Sequence, residues 1–310
     1  MQSLHQITLI GGWKVYNKNR YKYICLLRGE IMDLITRLLA EREGKVHGGI
    51  YDITQKRFAY NSNRIEGSRL TEEQTSLIYE TKTIANIDDL VEMNNHFKCF
   101  DYILDTVNEP LTEDYIKTLH RILKSGTSSE YNPIAPVGRY KVLQNEVGKI
   151  ATASVEQTEE EMLSLLIGYD LKKQKDLDYL TSFHAQFERI HPFADGNGRI
   201  GRLLLYKQCL KEGSVPFIVD DINKATYYSA LEAFQVHDNR QPLLDYFRSE
   251  QLFYMNYLKN KGFEGAINDE KEGDFIKKSD KFSTKLQQFK QKAEENRQKS
   301  QLKEETGLYL

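Results

Sequence analysis

Within one short stretch, His191-Pro192-Phe193-Ala194-Asp195-Gly196-Asn197-Gly198-Arg199-Ile200-Gly201-Arg202, the chain assembles a proton acceptor, a carboxylate, a glycine-rich turn and two arginines. That set suits a polyphosphate, whose charge must be met by backbone N–H groups, guanidinium forks and a metal ion together. Pro192 pushes its predecessor out of the α region and lacks an N–H, so His191 is expected at a helix end, where it can face a cleft. An imidazole with an ordinary pKa of about 6.5 accepts a proton at neutral pH, as a general base acting on a hydroxyl must. Gly196 and Gly198 permit positive φ and close backbone approach, so the turn can aim several N–H groups at one anion, backed by the positive end of the next helix. Asp195, beside that nest, repels phosphate unless a cation lies between them. A Mg²⁺ that takes one carboxylate, phosphate oxygens and waters meets the geometry, and capping of the next helix is the plainer alternative. Arg199 and Arg202, three apart, share a helix side and lie within reach of one polyphosphate. Phe193 is expected to anchor the loop against the core.

The elements that must hold these residues read as helices. Ile31, Leu34, Ile35, Leu38 and Leu39 follow the spacing of an amphipathic helix that stops near Gly44. A second helix is expected over about 51–60, leading into Ser62-Asn63-Arg64-Ile65-Glu66-Gly67, and Thr71 with Gln74 forms a capping box for a third. Further helices are expected over 87–108, 112–123, 159–173 (capped by Thr158 with Glu161), 177–190, a buried one from Arg202 to Gly213, 224–234 and 242–257. The exception is 133–153, where Pro133, Pro136 and Gly138 break helical order. There Arg139 to Val142, a polar turn at Gln144-Asn145-Glu146 and Val147 to Thr152 suggest a β-hairpin.

Composition narrows the class. With 310 residues, 40% of them hydrophobic, the chain can bury a real core, and a net charge of −2 leaves no global basic excess to attract nucleic acid. Cys25, Cys99 and Cys209 are too few and too scattered for a disulfide framework or a zinc site, so a reducing cytoplasm is the expected location. The patch Ile7 to Ile10 is too short for a membrane span and is followed by no cleavage site. Residues 1–30 read as a loosely ordered extension, 31–260 as the helical domain, and 261–310 as a charged tail, helical or disordered.

The pattern H-x-F-x-D-G-N-G-R-x-x-R, filled from His191 to Arg202, resembles the signature of the Fic family. The resemblance implies a mainly α, Fic-fold helical bundle with a small β-hairpin flap near 138–152. It further implies transfer of AMP from ATP, with Mg²⁺, to a Ser, Thr or Tyr hydroxyl of a target protein and release of pyrophosphate. His191 would be the base, Asp195 the metal ligand, Gly196, Asn197 and Gly198 the cradle of the α- and β-phosphates, and Arg199 and Arg202 the contacts of the outer ones. Family members that transfer a phosphate carry a lysine where this chain has Gly198. Ser62, Glu66 and Gly67 are similar to the family's inhibitory motif S/T-x-x-x-E-G/N, which would set Glu66 against Arg202; helix capping by Ser62 and Gly67 is the alternative. The flap would hold a target by strand addition. Tyr227, Tyr228 and Gln235 fall where relatives place residues near the adenine or ribose, although aromatics at such spacing also suit a core. An enzyme that also removes AMP, with Glu66 orienting a water, and a noncatalytic nucleotide-binding module remain open, as does pairing into a homodimer.

Overall fold

A computed structural model describes residues 33–81, 88–147 and 150–263. Chain contacts divide the protein into Met1–Glu264 and Gly265–Leu310, and every described residue lies in the first unit. The expected extension over 1–30 and nearly all of the tail fall outside the described residues.

The described chain is helical, as its periodicity requires. In order, α1 covers 33–43, α2 is Ile50–Ile65, α3 Glu72–Thr81, α4 Asp88–Asp105, α5 Glu113–Lys124, α6 Val155–Leu171, α7 Leu177–Ile190, α8 Asn197–Glu212, α9 Lys224–His237 and α10 Gln241–Asn260. Helix α8 is the axis. Every residue from Asn197 to Leu210 is buried, and α8 packs against α2, α4, α5 and α7. Gly213, at φ 73°, ends it: Gly213 N–H reaches Leu210 O at 3.3 Å and Ser214 N–H reaches Cys209 O at 2.8 Å. Phe58, Phe100 and Tyr206 cluster where α2, α4 and α8 meet, with ring centroids 5.2 to 6.0 Å apart.

Three boundaries depart from the periodicity. Helix α2 runs one turn past Tyr60, so Ser62 to Ile65 are its last turn, and buried Asn61 and Asn63 bond back to Arg57 O and Ala59 O at 2.9 and 2.8 Å. Helix α6 starts at Val155, capped by Ser154 in a box with Gln157, because the Thr158 hydroxyl points back to Ser154 O at 2.7 Å. The hairpin is shorter than expected: Glu146–Val147 pairs antiparallel with Ile150–Ala151, and 139–145 is not a strand. The polar groups of that segment are spent elsewhere. Lys141 N–H donates to Pro192 O at 2.8 Å and Lys141 Nζ to Ile190 O at 3.2 Å, which straps the hairpin's approach to the His191 loop. The capping box at Thr71 and Gln74 is present, with reciprocal bonds of 3.2 and 2.8 Å.

Candidate active site

The site is built where α7 ends and α8 begins. His191 takes a left-handed conformation, φ 52° and ψ 60°, closing α7 through its N–H on Phe187 O at 3.0 Å. A non-glycine residue rarely sits there, and the following proline bars the right-handed alternative. The His191 Nδ1 lies 3.2 Å from Glu188 O, and a carbonyl only accepts, so Nδ1 carries the proton. Nε2 is therefore left as a proton acceptor. Burial lowers the His191 pKa and Lys141 adds to it, so the ring is neutral at physiological pH.

The loop from His191 to Gly196 is held from several sides. Phe193 is fully buried and stacks on His120, with centroids 3.9 Å apart. His120 Nδ1 accepts from Gly138 N–H at 2.9 Å, so Nε2 donates to Asp195 O at 3.0 Å, and burial brings this ring's pKa to about 4. Asn145 Nδ2 donates to His191 O at 3.3 Å and Phe193 O at 2.8 Å. Asn197 closes the turn with two 2.8 Å bonds to the Phe193 backbone. Its side chain is thus structural, and only its main chain is available to a phosphate.

Gly196, at φ 82°, is the N-cap of α8 and no side chain caps that end, so the first N–H groups of the helix lack intrahelical partners. Asp195 is not the cap. Its Oδ1 accepts from Gly196 N–H at 2.6 Å and its Oδ2 from Lys124 Nζ at 2.5 Å, while Arg199 Nη2 lies 3.3 Å from both oxygens. Burial opposes its ionisation, but Arg199 and Lys124 outweigh that and hold the carboxyl well below the usual range. The side chain keeps 55% of its surface exposed. Among the described residues no three His, Cys, Asp or Glu side chains gather as a metal cluster. A single exposed carboxylate fits a cation that brings its other ligands along as phosphate oxygens and waters.

Arg202 is engaged by α2. Its Nε donates to Ser62 Oγ at 3.1 Å, and Nη2 to Ser62 O at 2.9 Å and Glu66 Oε1 at 2.7 Å. Burial raises the Glu66 pKa, but Arg202 more than reverses this, so Glu66 is ionised. Its carboxylate lies in the space that a side chain at position 198 would fill: a Cβ there would run into Glu66 and come within 3.0 Å of Arg202 Nη1. Gly198 is what admits both. Glu66 follows the last turn of α2, Gly67 turns the chain at φ 98°, and Lys224 Nζ caps Ile65 O.

Other expected residues have different jobs. Arg199 is buried against Glu92, with Asn63 Oδ1 at 3.4 Å. Tyr227 is buried and its hydroxyl bonds His184 Nε2 at 2.7 Å, so it is a core residue. Gln235 Nε2 is spent on Ala185 O at 2.9 Å. Tyr228 is 38% exposed, and burial together with the nearby Glu66 charge raises its pKa, so it is the solvent-facing one of the two tyrosines beside Glu66. The motif also left out Glu92, Lys124 and Glu188. Glu92, Asn95, His96 and Cys99 fall at i, i+3, i+4 and i+7 of a helix whose core face should be apolar, and this polar stripe was the readable sign of a buried network. Glu188 is largely buried below Gly201, and burial lifts its pKa to about 8 despite Arg202.

The Fic/DOC family model matches residues 110–209, the span from α5 through the loop to α8. Over that span the chain is similar to the Fic/DOC family. It is 28% identical over 181 residues to Protein adenylyltransferase Fic of Nematostella vectensis, covering 56% of this chain and 41% of that protein. To Protein adenylyltransferase fic-1 of Caenorhabditis elegans it is 26% identical over 193 residues, 59% of this chain and 37% of the relative. The chain thus spans about two fifths of the length of these curated relatives. A Fic domain containing signaling protein from Bacteroides thetaiotaomicron superposes with a TM-score of 0.62 at 25% identity, over 76% of this chain and 99% of that one. Among the described residues no helix is long and apolar enough to cross a membrane.

Proposed function

We propose that this chain is a Fic/DOC-family enzyme that transfers AMP from ATP to a hydroxyl of a target protein, and that Glu66 restrains it. The observation that carries the reading is the meeting of three groups at one helix end: a neutral His191 with Nε2 as acceptor, the uncapped N–H groups of α8, and Arg202 with Glu66 on its fork. The relatives named adenylyltransferases, and Gly198 in place of a lysine, favour AMP over phosphate as the group moved.

In this reading the α8 N-terminus and the Gly196–Gly198 backbone bind the phosphates, and Arg202 binds the γ-phosphate once Glu66 leaves it. The target hydroxyl attacks the α-phosphorus. Its proton passes to His191 Nε2, a new P–O bond forms, and the bond to the oxygen bridging the α- and β-phosphorus breaks, releasing pyrophosphate. A divalent cation on Asp195 would supply charge neutralisation to those phosphates. The hairpin strapped to the His191 loop would receive the target main chain, with Val142 and Leu143 exposed beside it. With Glu66 on Arg202 the triphosphate cannot seat its end, and a misplacement of about 1 Å costs roughly 10²-fold in rate.

The test is incubation with ATP labelled at the α- or the γ-position. Label should pass to protein from the α-position alone, more strongly in Glu66→Gly and not in His191→Ala. Transfer from the γ-position would overturn the reading.

A further inference from the structure

Lys124, the last residue of α5, has only 4% of its side chain exposed, and an ammonium is buried only when counter-charges face it. Two do. Nζ donates to Glu92 Oε1 and, at 2.5 Å, to Asp195 Oδ2. Glu92 also pairs with Arg199, whose Nη2 returns to both oxygens of Asp195 at 3.3 Å. Two cations and two carboxylates thus close a ring, and Asn63 Oδ1 and Gly196 N–H hold its edges. Glu92 and Asp195 bond the same nitrogen, so the ammonium stands between two carboxylates that would otherwise face each other without a cation.

We propose that Lys124 is a positioning residue, a resident counter-cation that fixes the Asp195 carboxylate and keeps a free divalent ion off it. The ion then enters only with the phosphates of the nucleotide. Lys124 is too deeply buried to touch the nucleotide, so it acts through Asp195. With its charge already matched by Lys124 and Arg199, Asp195 offers an incoming ion little gain unless phosphate oxygens add theirs. The inference rests on the reading of Asp195 as the metal-binding carboxylate.

The test is a titration of nucleotide-free full-length protein with Mn²⁺, read by the loss of the free-ion electron paramagnetic resonance signal, with circular dichroism to check folding. Lys124→Met should bind Mn²⁺ at least about tenfold more tightly than the wild type, the scale by which neighbours of metal ligands tune affinity. Lys124→Arg, which keeps the charge, should not. Should Lys124→Met not fold, Asp195→Asn tests the same point: it should leave Mn²⁺ binding by nucleotide-free protein unchanged and weaken binding of Mn²⁺ with ATP by at least about tenfold. No gain in folded Lys124→Met, or wild-type binding of free Mn²⁺ that Asp195→Asn abolishes, would overturn the role of Lys124 alone. Binding of Mn²⁺ with ATP that ignores Asp195→Asn would remove the metal role of Asp195 and the inference with it.

Discussion

Replacing Glu66 by Ala should destabilise the free protein and tighten its hold on ATP, two effects of opposite sign from one contact. Arg202 has three hydrogen bonds, and the change removes only the 2.7 Å bond to Glu66, leaving Ser62 Oγ at 3.1 Å and Ser62 O at 2.9 Å. The guanidinium thus keeps two neutral acceptors while losing its charged one. A hydrogen bond between charged groups contributes about 1.5–3 kcal/mol, and the 27% exposure of Glu66 screens this one toward about 2 kcal/mol. At roughly 2–4 °C per kcal/mol for a domain of this size, the melting temperature should fall by about 4–8 °C. ATP no longer has to displace the carboxylate, so the same ~2 kcal/mol returns as an affinity gain of about thirtyfold. Glu66→Ala keeps a Cβ on a right-handed backbone at φ −83°, which separates loss of the carboxylate from added chain freedom. Thermal melts and calorimetry with ATP, side by side, are the assay. A melting temperature that falls with no change in ATP affinity would make Glu66 a structural residue and refute the competition.

Three further outcomes follow from named contacts. Gly201→Ala should cost about 1–3 kcal/mol in chemical denaturation, since its Cβ would meet the Glu188 carboxylate and sit 3.2 Å from Phe187 Cδ1 where α7 packs on α8; an unchanged denaturation midpoint would mean that the helices part easily. Glu188 has a folded pKa of about 8, above its unfolded value of about 4.5, so the folded protein holds one more proton between these and loses stability as pH rises through that window. Glu188→Gln should abolish that decline, diverging from the wild type by up to about 1.4 kcal/mol per pH unit between pH 5 and 8, and parallel stability curves would count against it. Because burial lowers the His191 pKa, kcat/KM for AMP transfer should rise with pH and level off below about pH 6.5; a midpoint above that would exclude a neutral His191 as the base.

The helices were legible wherever a 3.6-residue period met a local stop signal: Thr112 and Asp176 cap α5 and α7, and Gly213 ends α8. Where competing hydroxyls lay one turn apart the reading slipped. Thr158 with Glu161 has the residues of a cap, but the helix opens one turn earlier at Ser154 with Gln157, because the Thr158 hydroxyl is spent on Ser154 O. The hairpin was misplaced for a different reason. Strand propensity at 139–142 is real, but the partner of that backbone is the loop at Pro192, a long-range pairing that no local pattern signals.

The site divides along the same line. Residues whose task is set by their own backbone, such as His191 beside a proline and Gly196 and Gly198 at a helix start, could be assigned from sequence because local geometry dictates what they do. Asn197, Gln235 and Tyr227 could not. Each carries a group able to meet a nucleotide, yet Phe193, Ala185 and His184 claim it first, and such claims are decided by packing between elements. Glu66 and Arg202, 136 positions apart, belong between these cases. The arginine is fixed on the buried face of α8, so its charge must be met by whatever α2 presents, and Ser62 and Glu66, one turn apart, can approach it together only because Gly198 has no side chain. The missing Cβ at Gly198 therefore serves two occupants in turn. In the resting protein it makes room for the carboxylate, and in the proposed reaction it leaves the same space to phosphate.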